Sequence, residues 1–132
     1  MRHRMTATAI LCLIMLAAIG APAVPFNRHN STQVFQKNQS GGIQQVVAKD
    51  SNDKALVAAI RSYLEAEAER FGKGDYSGPF KGVRYLKAVK PGQISIIYRH
   101  VSAGAAIDYV GADTAAVDAI HKWLDAEISD QE

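Results

Sequence analysis

A chain of 132 residues, 48% hydrophobic and 21% charged, is long enough for one packed domain and apolar enough to fold without help. Its formal net charge of +2 falls to zero once Arg2 and Arg4 are set aside, so bulk charge implies no polyanionic partner. The single cysteine, Cys12, excludes an intramolecular disulfide.

Residues 1–23 predict a signal peptide. Arg2 and Arg4 precede an apolar run from Ala9 to Ile19, and small residues end at Ala21-Pro22-Ala23, with cleavage expected after Ala23. The run is far shorter than the roughly 20 residues a membrane-spanning helix needs, and no later run approaches that length. The expectation is therefore a periplasmic or secreted protein with no transmembrane anchor after cleavage. An uncleaved anchor is the alternative, opposed by the small-residue triplet and by the helix breakers Gly20 and Pro22. Cys12 lies inside the apolar run, so the mature chain carries no thiol and depends on its core.

Residues 24–31 read as an extended lead-in, and residues 32–132 as a single α+β domain. Thr32-Gln-Val-Phe-Gln-Lys37 and Ile43-Gln-Gln-Val-Val-Ala-Lys49 favour strands, and the paired glycines of Asn38-Gln-Ser-Gly-Gly42 can supply a hairpin turn between them. Asp50-Ser-Asn-Asp53 offers helix caps. Leu56, Val57, Ile60, Leu64 and Phe71 then follow helical spacing until Gly72 and Gly74. In residues 75–91, Val83, Leu86 and Val89 fit a short helix, whereas Val83, Tyr85, Lys87 and Val89 fit a strand about as well; the helix is the favoured reading. Gln93-Ile-Ser-Ile-Ile-Tyr-Arg-His100, a turn at Ser102-Ala-Gly104, and Ala105-Ala-Ile-Asp-Tyr-Val110 make a second hairpin. Asp113 caps a second long helix with Val117, Ile120, Leu124 and Ile128 on one stripe.

The two helices share a phrase, Ala55-Leu-Val-Ala-Ala-Ile-Arg-Ser-Tyr-Leu-Glu-Ala-Glu67 and Ala115-Ala-Val-Asp-Ala-Ile-His-Lys-Trp-Leu-Asp-Ala-Glu127. The pairs Val57/Val117, Ala59/Ala119, Ile60/Ile120, Tyr63/Trp123 and Leu64/Leu124 match at positions suited to a core. This internal repeat predicts duplicated ββα units. One unit alone buries too little to be stable, so the two should form a four-stranded antiparallel sheet with both helices on one face.

Chemistry is sparsely signalled. Asp118, His121 and Asp125 fall at i, i+3 and i+7 of a helix, a candidate partial metal site, although a solvated face on which Asp118 pairs with Lys122 is the favoured reading. No nucleophile elbow, CxxC, HExxH, P-loop or dinucleotide-binding pattern occurs. Glu65 and Glu69, with Arg61 and Arg70 nearby, read as a charged surface. The cations from Arg70 to Arg99 are mixed with Tyr76, Phe80, Tyr85 and Tyr98; export argues against nucleic acid and leaves an anionic envelope polymer or lipid headgroup, with a solvated basic loop and inward tyrosines as the favoured reading.

Four phrases resemble a known family: Gly41-Gly-Ile-Gln-Gln-Val-Val-Ala-Lys-Asp50, Phe71-Gly-Lys-Gly-Asp-Tyr-Ser77, Lys90-Pro-Gly-Gln-Ile-Ser-Ile-Ile-Tyr-Arg99 and His121-Lys-Trp-Leu-Asp-Ala-Glu-Ile-Ser-Asp130. Together they are similar to small exported bacterial proteins of uncharacterised function, some labelled aspartate carbamoyltransferase. The resemblance implies an exported α+β domain. It also implies histidines in relatives where this chain has Gln33, the Ser77-Gly-Pro-Phe-Lys-Gly82 stretch and Gln131, so that of those relatives' histidines His121 alone is kept. Carbamoyl transfer of the established kind needs a Ser-Thr-Arg-Thr type phosphate loop, which Asn30-Ser-Thr-Gln33 does not supply.

The leading expectation is a small exported binding or interaction protein with no catalytic motif and no cofactor. Its partner would be a second copy or an envelope component on the open sheet face, since Ile94, Ile96 and Tyr98 lie on one side of a strand and Ile97 and Val101 on the other, so that both faces carry apolar residues. The alternatives are a metal- or small-ligand-associated periplasmic protein using His121, Asp118 and Asp125, and an enzyme of the carbamoyltransferase-labelled type.

Overall fold

The structure, a computed structural model, describes residues 26–131. The expected signal over residues 1–23 lies outside the described residues. Among them no helix is long and apolar enough to cross a membrane. Residues 26–30 turn back toward the domain: the Asn30 amide donates to the Asn27 carbonyl (3.0 Å), and Phe26 packs edge-on against Tyr63 at 5.7 Å.

Strands β1 (Ser31–Asn38), β2 (Gly41–Ala48), β3 (Ile94–Val101) and β4 (Gly104–Gly111) form one antiparallel sheet in the order β1-β2-β4-β3. The first hairpin turns on Gln39 and Ser40, because Asn38 pairs with Gly41 and the Asn38 side chain accepts from the Ser40 amide at 3.0 Å. The glycines expected to form this turn instead begin β2, and their role is close packing. A Cβ on Gly41, whose φ is +148°, would sit 2.2 Å from the Tyr109 carbonyl oxygen, and one on Gly42 would sit 2.2 Å from Leu124 Cδ1. The second hairpin turns on Ser102 and Ala103, with Ala103 in the left-handed region at φ 63°.

Helix α1 (Lys54–Gly72) starts at Asp53, whose carboxylate accepts from the Leu56 amide at 3.1 Å. Helix α3 (Thr114–Gln131) starts the same way, with Asp113 accepting from Ala116 at 2.9 Å. Each cap satisfies an amide that the first turn leaves without a partner. Between them, Val83–Leu86 forms the single helical turn α2, followed by a 3-10 turn at Pro91–Gln93 that leads into β3. The joining segment is thus helical and not a fifth strand. It lies close on α3: a Cβ on Gly82 would be 2.9 Å from the Trp123 carbonyl oxygen.

Alternation along the strands divides the sheet. Phe35, Gln44, Ile107 and Tyr98 form one cross-strand row, and this row faces the long helices. Gln44 reaches Glu67 of α1, while Phe35 meets Trp123 of α3, so both helices cover the same face. The molecule is therefore α+β, an antiparallel sheet of four strands with three helices. Ile60, Leu64, Ile120 and Leu124 are fully buried in one cluster. Trp123 is its hub, with the rings of Phe35, Phe71, Phe80 and Tyr109 between 5.5 and 6.1 Å from its own.

Candidate functional site

Two groupings stand out from this scaffold. The first is a polar thread inside the apolar layer. Ile60, Leu64, Glu67 and Phe71 follow helical spacing, so the stripe that buries α1 carries a carboxylate into the core. Glu67 Oε1 accepts from Gln44 Nε2 at 3.0 Å, and Gln44 Oε1 accepts from the Tyr109 hydroxyl at 2.8 Å. Glu67 Oε2 is buried with no protein partner, as are the Tyr63 hydroxyl and Trp123 Nε1.

Burial drives the electrostatics. Removal from water pushes the Glu67 carboxyl up to about 7, although Gln44 and Arg70 pull in the other direction. Burial, with Glu67 as a nearby negative charge, also pushes Tyr63 up to about 12. Glu127 on α3 is likewise raised, chiefly by burial, while the Gly82 amide donates to its Oε2 at 3.2 Å and lowers it. This arrangement can hold or exchange a proton inside the domain. Reading charged residues as surface overlooked Glu67 and Glu127. The available signal was that the two helical phrases both end in glutamate at a position in phase with the apolar stripe.

The second grouping is the helix-free face of the sheet. Val34, Ile97 and Val110 are 40%, 50% and 36% exposed, and the strand alternation places all of them there, with Ile43, Val47 and Val101 partly buried beside them. Among them Arg99 Nε donates to Asp108 Oδ2 at 2.7 Å, joining β3 to β4. The face thus combines separated apolar side chains with one paired cation and anion.

Two of the three residues proposed from sequence as metal ligands have other partners. His121 donates from Nε2 to the Asn38 carbonyl at 2.8 Å, and Asp125 pairs with Lys37 Nζ at 2.9 Å. Asp118 is exposed and lines a shallow hollow with Tyr85 and Lys122. Among the described residues no group of three or more His, Cys, Asp or Glu is gathered to hold a metal ion. Glu65 and Glu69 point outward. Within the basic segment, Arg84 donates to the Tyr85 hydroxyl at 2.9 Å and stacks 4.5 Å from its ring centre. Neither a protein-family model, nor a curated protein, nor a solved structure matches this chain.

Proposed function

We propose that the protein is a small exported interaction module, without catalytic activity, whose helix-free sheet face binds a second copy of itself. The observation that carries this reading is the placement of Val34, Ile97 and Val110, the exposed large hydrophobic residues among those described, on that single face. An antiparallel sheet can leave one face to water, but that face then carries polar side chains. Here Val34, Ile97 and Val110 stand exposed among Thr32, Gln36, Gln45 and Ser95 and beside the Arg99–Asp108 pair.

A two-fold contact brings the same patch of both copies together, so Arg99 of each copy can meet Asp108 of the other. The formal net charge of zero expected for the mature chain adds no repulsion between copies. In this reading the chain is also a duplication of a ββα unit, supported by the burial of Ile60 with Ile120, Leu64 with Leu124 and Tyr63 with Trp123. Sedimentation equilibrium of the purified protein tests the central claim. A dimer that becomes monomeric on Ile97→Glu is expected, whereas a monomer at the highest soluble concentration overturns it. Export is tested separately by the mass of the envelope-fraction protein, which should begin at Val24.

A further inference from the structure

The stretch from the last turn of α1 to the turn before β3 holds Arg70, Lys73, Lys81, Arg84, Lys87 and Lys90 against one carboxylate of its own, Asp75. Folding gathers these cations on one flank of the helix layer. Leu86 is fully buried and Val83 and Val89 pack against the same core, so one side of the stretch is anchored while Arg84, Lys87 and Lys90 stand exposed. A Cβ on Gly74 would lie 3.2 Å from Pro91 Cγ, which sets the loop of exposed Lys73 against the corner of Lys90. Asp75 lies among them: Ser77 donors hold its carboxyl below the usual carboxylate range, and Arg70 and Lys87 lower it further.

Neighbouring elements cancel only part of this charge. Lys81 is 4.0 Å from Asp130 of α3, Asp118 of α3 shares a hollow with Lys122, and Glu69 stands one helical turn before Lys73. With the two pairs on α3 set aside, Arg70, Lys73, Arg84, Lys87 and Lys90 face Asp75 and Glu69, five cations against two carboxylates. The aromatic rings nearby are engaged. Tyr76 is buried, Phe80 packs on Trp123, and Arg84 stacks on Tyr85 and donates to its hydroxyl, so no ring is left for a nucleic-acid base to stack on. The free cations stand on turns and on the outer side of α2, a shape that meets a broad anionic surface better than it follows a single polymer strand.

We propose that this basic flank docks the protein on a bilayer surface containing anionic phospholipid, with Lys73, Arg84, Lys87 and Lys90 against the headgroups. Each acts through charge alone and contributes roughly fivefold to binding. Docking by the helix layer leaves the helix-free sheet face open and does not depend on self-association. Co-sedimentation of the purified protein with phosphatidylcholine vesicles, with and without phosphatidylglycerol, tests the proposal. Binding is expected to the anionic vesicles alone, and it should fall steeply as salt is raised. Lys87→Gln combined with Lys90→Gln should weaken it roughly 25-fold, whereas Lys54→Gln, at an exposed position in the first turn of α1, should leave it unchanged. All three side chains are exposed, so the variants keep the core intact. Equal binding to both vesicle types, or unchanged affinity in the double variant, would overturn the proposal. So would binding to soluble polyphosphate as tight per phosphate as to the vesicles, which would make an anionic polymer the partner.

Discussion

Glu67 and Glu127 close the two matching helical phrases, and both are buried, at 0% and 3% exposure. Each carboxyl has a raised pKa, and Glu127 contributes to the rise at Glu67 by adding a second negative charge. The helices therefore carry like-charged groups inward at equivalent positions, where a solvent-facing pair would be harmless.

The pH dependence of stability follows in sign. Glu67 titrates near 7 when folded and near its ordinary value of 4.5 when unfolded, so between these values the folded state binds the extra proton. Its contribution is full below 4.5, declines as pH rises toward 7 and is absent above. Denaturant unfolding should show the protein less stable at pH 8 than at pH 5, by on the order of 3 kcal/mol from this group. Glu67→Gln should flatten that slope and gain stability at pH 8, since the amide still accepts from Gln44. A slope unchanged in the variant would remove Glu67 as its cause.

Two glycines separate close packing from ordinary turn chemistry. A Cβ on Gly104 would lie 2.0 Å from the Val46 carbonyl oxygen and 2.8 Å from Val47 Cα, both backbone atoms that cannot move alone. Gly92 has no neighbour within 4 Å of a Cβ. Gly104→Ala should cost at least about 3 kcal/mol or prevent folding, while Gly92→Ala should change stability by roughly 0.5 kcal/mol or less. Thermal unfolding of the two variants, measured side by side, checks the contrast.

Trp123 should behave as packing and not as a hydrogen-bonding residue. Four aromatic rings surround it, yet its Nε1 has no protein acceptor. Trp123→Ala is expected to cost about 3–5 kcal/mol through the cavity it leaves. Trp123→Phe should cost clearly less, because the ring that remains fills most of that cavity. Equal losses in the two variants would mean that packing volume is not what Trp123 supplies.

The elements of the fold were legible because their cues are local. The Asp50–Asp53 run, of which Asp53 is the cap, and Asp113 announce both helix starts, and Ile60, Leu64, Ile120 and Leu124 announce both buried stripes. Gly41 and Gly42 misled, since a pair of glycines satisfies a tight turn and a close helix crossing equally well until Leu124 and Tyr109 are placed. The polar thread was hidden for a similar reason. Gln44 and Tyr109 are far from Glu67 in sequence, and only the register of β2 against β4 brings them together beneath α1. The strand alternation did place Ile97 and Val101 on one face and Ile94, Ile96 and Tyr98 on the other.

The Arg99–Asp108 pair gives the self-association reading its sharpest test. Both side chains are partly exposed, so their ion pair should contribute less than about 1 kcal/mol to the fold, and replacing either should leave the monomer intact. Across a two-fold interface the same charges act between copies. Asp108→Arg would there oppose cations from both copies and should favour the monomer. The double exchange Arg99→Asp with Asp108→Arg restores opposite signs within and between copies, and should recover the dimer while Ile97→Glu does not. Sedimentation of the single and double variants, with circular dichroism to show that each is folded, distinguishes the cases. A double variant that stays monomeric would mean that the charged pair serves β3–β4 pairing alone and plays no part in association.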